Sequence, residues 1–296
     1  MADETLTFTR CIDFETRIGE GPVWDEQRGV LWFVDILAPA LFSYDPAQGR
    51  VQRFDMPDLV TSVGVTIDGR LILSLRTSVQ FFDPLNGSLE LFVSPDMGDP
   101  LNRLNDGKVG PDGCFWVGSM HDKRPAKPTG ALYRITPAGK CSVILQGIHV
   151  SNGLAWAPDG RTMYHADSRG PFIKKYDFDP TTGAMSNARI IAEPDESTGL
   201  PDGAAVDCDG NYWSAGVTSG RLNVFSPNGD LLRKIAVPMA APTMPCFGGA
   251  DLRTLFLTGL TKEVDGKILS RGTLVSCLSP VKGIGVSKFG RRDSRI

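Results

Sequence analysis

The chain repeats itself, and the repeat limits its fold more than any other feature. A short apolar strand, a tight turn and a strand carrying aromatic residues recur, followed by two further strands. GPVWDEQRGVLWFVDILAPALFSYDPAQGRVQRF fills 21–54, and SVGVTIDGRLILSLRTSVQFFDPLNGSLELF fills 62–92. NDGKVGPDGCFWVGSM opens a unit over 105–145, and NGLAWAPDGRTMYHADSRG leads another from 152. DGAAVDCDGNYWSAGVTSGRLNVFSPNGDLLRKI covers 202–235, and PCFGGADLRTLFLTGL starts the sixth at 245. Asp68-Gly69, Asp112-Gly113, Asp159-Gly160, Asp209-Gly210 and Asn228-Gly229 are tight-turn dipeptides. Six units of roughly 40–50 residues, each with about four strands, predict an all-β, six-bladed β-propeller with four-stranded blades around a central channel.

A pair of β-sandwiches would explain the turns but not six similar units, and the GH…WD signature of WD40 blades is absent. The 296 residues, 41% of them hydrophobic, suit one propeller domain spanning 1–296. Closure of the ring is open to two segments, TLTFTRCI (5–12) and GIGVSKF (283–289), either of which reads as a strand without a hairpin partner. The segments 119–130 and 261–272 read as insertions on one face.

The innermost strand of every blade runs beside the axis, so equivalent positions converge on one mouth of the channel. Just before the first Gly of a unit stand Glu20, Asn152 and Asp202, and Asn105 stands there with one residue inserted. Singly, each is an ordinary turn former. Together they would bring carboxylates and amides to a common centre, where burial without a partner is costly. A divalent cation relieves that cost. Oxygen donors suit Ca²⁺, Mg²⁺ or Mn²⁺ and admit Zn²⁺ or Fe²⁺. Too few donors converge to fill the coordination sphere, which leaves room for a substrate.

GEGPVWDEQRGVLWFVDI, NRLNDGKVGPDGCFWVGSM, SNGLAWAPDG, PDGAAVDCDGNYW and PTMPCFGGADLRTLFLTGL resemble the SMP-30/gluconolactonase/luciferin-regenerating family, from about residue 19 to 260. The resemblance implies a six-bladed propeller with one divalent metal at its centre and hydrolysis of sugar lactones. It implies that Glu20, Asn152 and Asp202 are metal ligands, and that Arg103 and Asn105, from NRLND, bind substrate. Asp202 is the candidate general base. His121, Asp122, Lys123 and Arg124 make the loop after GSM largely basic, where some relatives are acidic. Organophosphate hydrolysis and non-catalytic calcium binding are the alternatives on the same frame.

Other features set limits. A net charge of −3 gives no basic surface for nucleic acid. The longest apolar run, 30–42, is broken by Asp35 and Pro39 and is too short to span a bilayer. MADETLTFTR lacks a secretory apolar core, and the six scattered cysteines form no CxxC pair, which predicts a reduced, cytoplasmic protein. A monomer or weak homo-oligomer acting on a small sugar lactone is expected. No GxSxG elbow supports a serine nucleophile. His149 reads as a packed histidine near the channel, and the five tryptophans as packing between blades.

Overall fold

The computed structural model describes residues 4–290, and none of them is helical. Six four-stranded antiparallel sheets stand in a ring. The first blade is Gly19–Asp25, Val30–Asp35, Ala40–Asp45 and Arg50–Asp55. The second is Val60–Val65, Leu71–Leu75, Val79–Asp83 and Ser88–Val93. The third is Asn102–Val109, Phe115–His121, Gly130–Ile135 and Cys141–Ile148. The fourth is Ser151–Trp156, Thr162–Asp167, Phe172–Phe178 and Met185–Ala192. The fifth is Pro201–Val206, Tyr212–Gly216, Arg221–Phe225 and Leu231–Ala236. The sixth takes Pro242–Gly248, Thr254–Gly259 and Leu274–Leu278 from one end of the chain and Thr9–Arg10 from the other. Each inner strand packs against the inner strands of both neighbouring blades, sixth against first included.

The predicted ambiguity of closure is resolved by pairing. Thr9 and Arg10 pair with Ser276 and Val275, so the N-terminal segment supplies the outer strand of the last blade. Glu4–Thr5 continues alongside Leu231–Ala236 in parallel, tying the fifth blade to the sixth. The segment 283–289 joins no blade. It crosses the far mouth of the channel, bonding hairpins on opposite sides of the ring. Gly283 N–H donates to Leu252 (2.9 Å) and Cys208 N–H to Lys282 (2.8 Å). At the other end Phe289 N–H donates to Val65 (2.8 Å) and Ile67 N–H to Phe289 (3.0 Å). The insertion at 261–272 carries a small hairpin, Lys262–Val264 with Lys267–Ser270.

The hydrophobic core is divided among the gaps between blades rather than gathered in one mass. Val23 and Trp32 meet Val63 and Leu71 between blades one and two. Trp116 and Leu132 meet Trp156 and Met163 between three and four. Trp213 meets Phe247 edge-on, with ring centroids 5.4 Å apart, between five and six. All five tryptophans are buried in these seams, as the sequence predicts. Each large side chain so buried contributes about 1.5–3 kcal/mol. The indole N–H groups of Trp32, Trp116 and Trp213 all donate to an aspartate of the first hairpin: Asp25, Asp112 and Asp207. This repeated buried bond satisfies the one polar atom that each of these three rings brings into a seam.

Every inner strand bulges. The register against the second strand slips by one residue after Glu20, Val60, Leu104, Asn152, Pro201 and Pro242. A bulge bends a strand and re-aims a side chain. Here it turns one residue per blade toward the axis at the mouth opposite the 283–289 strap. Gly21, at φ 55°, and Gly153, at φ 66°, follow two of these residues in the left-handed region. Gly153 has a second reason to lack a side chain, because an added Cβ would sit 2.2 Å from the Tyr212 hydroxyl of the next blade. Gly153→Ala should therefore destabilise the protein by about 2–4 kcal/mol, combining overpacking with a disfavoured backbone conformation. Urea unfolding midpoints would show it.

Candidate metal and substrate site

Four residues back from the paired residues Trp24, Val65, Val109, Trp156, Val206 and Phe247 of the six inner strands stand Glu20, Thr61, Asn105, Asn152, Asp202 and Thr243. The one-residue insertion expected in the third blade is therefore not an insertion. The extra residue belongs to a bulge that all six blades share. Asn105 sits in register, and Asp106 stands where Gly153 and Gly203 stand in the next two blades. Sequence alignment on glycine hid this, because the third blade replaces that glycine with a carboxylate.

Glu20, Arg103, Asn105, Asp106, Asn152 and Asp202 are all buried, with 4–9% exposure each. Asn105 links the set. Its Nδ2 donates to Asn152 Oδ1 at 3.0 Å and to the Ser151 carbonyl at 3.0 Å. Its Oδ1 accepts from Arg103 Nη1 at 2.8 Å. Asn152 Nδ2 donates to Ser168 Oγ at 2.7 Å, which fixes the amide with its oxygen toward the site. Glu20 accepts from Gly21 N–H at 2.9 Å. In the second and sixth blades Thr61 and Thr243 occupy the equivalent place. Thr61 bonds back to Ser74 and Thr243 to Gly19 and Thr258, so neither offers its hydroxyl to the axis.

The charges are crowded. Burial pushes the Asp202 carboxyl up to about 8, and the nearby Asp106 charge adds to it. Burial likewise holds Glu20 well above the usual carboxylate range, with Asp202 and Asp106 reinforcing the effect. Asp106 accepts the Leu154 N–H at 3.1 Å through Oδ2, while its buried Oδ1 has no hydrogen-bond partner. Among the described residues no three His, Cys, Asp or Glu side chains are grouped so as to hold a metal ion by themselves. The converging set is mixed: two carboxylates and an amide oxygen, with excess negative charge beside them. Hard oxygen donors with uncompensated charge fit a divalent cation, and their small number fits one that keeps open positions.

Arg103 is held from behind. Its Nε donates to Asp122 Oδ1 at 2.8 Å, and Asp122 Oδ2 accepts from Arg76 Nη1 at 2.8 Å. Burial pushes the Asp122 carboxyl up, but the two guanidinium groups outweigh it and hold it below its usual range. The loop after GSM, expected to be largely basic, thus turns its one carboxylate inward as the brace of Arg103. This brace joins the second and third blades, and nothing in the local sequence announced it.

The histidines take other roles. His149 is half-exposed, with its backbone N–H on Asp167 at 2.8 Å. His165 Nε2 lies 2.9 Å from Ser151 Oγ, a contact of the kind that serves a serine nucleophile. Ser151 is fully buried against Gly118 of the third blade. His165 is itself buried, which lowers its pKa to about 4 and leaves it neutral at pH 7. The pair is packing inside a seam.

The fold and this site define a class: a six-bladed propeller whose axial mouth is ringed by oxygen donors beside a braced arginine. The SMP-30/gluconolactonase/LRE-like region model matches residues 18–261, and the chain belongs to that family. It is 35% identical to the 6-deoxy-6-sulfogluconolactonase of Pseudomonas putida over 93% of this chain and 94% of that one. It is 31% identical to regucalcin of Xenopus laevis over 93% and 94% of the two chains. A solved structure of a calcium-binding protein, regucalcin, from Agrobacterium tumefaciens superposes with a TM-score of 0.92, covering 98% of this chain and 100% of that one, at 24% identity.

Proposed function

We propose that the protein is a metal-dependent sugar lactonase that hydrolyses an aldonolactone to the open aldonic acid. The observation that carries this reading is the convergence of Glu20, Asn152 and Asp202 on one mouth, next to Arg103 and Asn105. Lactonase names among the relatives support it. Regucalcins are among the relatives, and the solved one from Agrobacterium tumefaciens is a calcium-binding protein, which supports a divalent ion.

Glu20, Asn152 and Asp202 would hold the cation, which would supply Lewis-acid polarisation of the lactone carbonyl. Asp202 is the general base and takes the proton of the attacking water. Asp122, Leu104 and Asn105 hold Nε and Nη1 of Arg103, which leaves Nη2 to donate to the sugar oxygens from a fixed guanidinium. Asn105 ties Arg103 to Asn152, so substrate contact and ligand are aligned through one amide. The buried walls exclude bulk water, which strengthens each of these interactions.

Initial rates on gluconolactone, galactonolactone and a pentonolactone would test the proposal. Stripped protein should be inactive and should regain turnover with one or more of Ca²⁺, Mg²⁺, Mn²⁺, Zn²⁺ and Fe²⁺. Full turnover after stripping, or hydrolysis of phosphotriesters but no lactone, would overturn it.

A further inference from the structure

Below the mouth the axis carries a second charged residue that the lactonase reading leaves without a role. Lys108 lies on the inner strand of the third blade, and its Nζ donates to the Ala204 carbonyl of the fifth blade at 2.7 Å. The side chain therefore reaches past the fourth blade, beneath the converging oxygens. The strand it grips is the one that carries Asp202. Lys108 also lines an axial cavity of about 90 Å³, with Pro22, Ala155, Cys246 and Val286, closed at the far end by the strap.

The charge balance gives this placement its meaning. Glu20, Asp106 and Asp202 act on one another on the axis, and Asp106 Oδ1 has no donor. Arg103 is braced on Asp122, and its charge also acts on Glu20 and Asp202. Lys108 is the second cation near the axial carboxylates: burial lowers its proton affinity, and the charges of Asp106 and Glu20 act to raise it. An ammonium has three donors, and the Ala204 carbonyl uses one. A fixed positive charge in a buried site is only weakly screened, so any cation entering above it meets repulsion from below.

We propose that Lys108 is a built-in counter-cation that weakens the site's hold on its metal, so that the ion binds reversibly and keeps its Lewis acidity for substrate. The inference rests on the metal site proposed above and adds a residue that sets its affinity. It makes a directional prediction that a structural brace does not share. A brace, when cut, loosens the ligand set and weakens binding. A counter-charge, when removed, strengthens it.

The test is calorimetric titration of Mn²⁺ and of Ca²⁺ into stripped wild type, Lys108→Met, Lys108→Gln and Glu20→Gln. Gln is one atom shorter than Lys but keeps a polar end in the cavity, so a second uncharged variant is at hand should Met fail to fold. Both neutral variants are expected to bind about tenfold tighter than wild type, while Glu20→Gln loses binding. Equal or weaker affinity in folded Lys108 variants, with wild type binding and Glu20→Gln not, would overturn the inference and leave the metal site standing. Absence of binding in wild type would remove both.

Discussion

Asp202→Asn is expected to lower kcat for lactone hydrolysis at least about a thousandfold while making the metal-free protein more stable. The activity loss has two sources. Asn cannot accept the proton from water, and general-base catalysis is worth roughly 10²–10⁴ in rate. It also removes a carboxylate from the proposed ligand set, weakening the cation's hold. The gain in stability comes from the same crowding that makes the site useful. In the metal-free protein the folded carboxyl keeps its proton up to about pH 8. The unfolded one keeps it only to about pH 3.9. Between those values the folded state binds more protons, so stability falls as pH rises. The loss is absent below the lower value and complete above the upper one. Melting temperatures of stripped wild type should therefore drop between pH 5 and pH 8, and the drop should be shallower in Asp202→Asn. At pH 8 the variant should be more stable by on the order of 1–2 kcal/mol. A saturating divalent ion should reverse the ranking, because it binds wild type more tightly than the variant. A variant with unchanged turnover would remove Asp202 from the mechanism.

Arg103→Ala is expected to cost about 10²–10³ in kcat/KM, and Arg103→Lys should recover little of it. The guanidinium is engaged at several points: Nε on Asp122, and Nη1 on both the Leu104 carbonyl and Asn105 Oδ1. A lysine ammonium is a point donor and cannot reproduce that fork. Truncation also leaves Asn105 Oδ1 buried and bare, at about 1–3 kcal/mol. Because Asn105 holds Asn152, the damage should reach metal affinity as well as substrate binding. Steady-state kinetics with paired metal titrations would separate the two losses. Loss of KM alone, with kcat and metal affinity intact, would show that Arg103 only gathers substrate.

Several layers of this protein were written in the sequence. Turn dipeptides and strand periodicity recur along the chain, so the number of blades could be counted without coordinates. The blade order and the packing role of the tryptophans followed from the same repeat. Glu20, Asn152 and Asp202 were legible because a propeller's inner strands converge, so a polar residue at one place in the repeat has one destination. What the sequence left open depended on distance across the ring. Both terminal segments read as strands, and only pairing to Ser276 and Val275 decided that the N-terminal one closes the last blade. The C-terminal one became a strap because its partners are hairpins on opposite sides of the ring.

Asp106 and Lys108 sit in the run NDGK and looked local, yet their partners are Leu154 and Ala204 in the next two blades. Asp122 read as one member of a largely basic loop, yet it holds Arg103 and Arg76 together. Repetition along one chain determines the shape of each unit and which of its residues face the axis. Contacts between units are set by the bend of every bulge and the angle of every blade, and those exist only once the ring has closed.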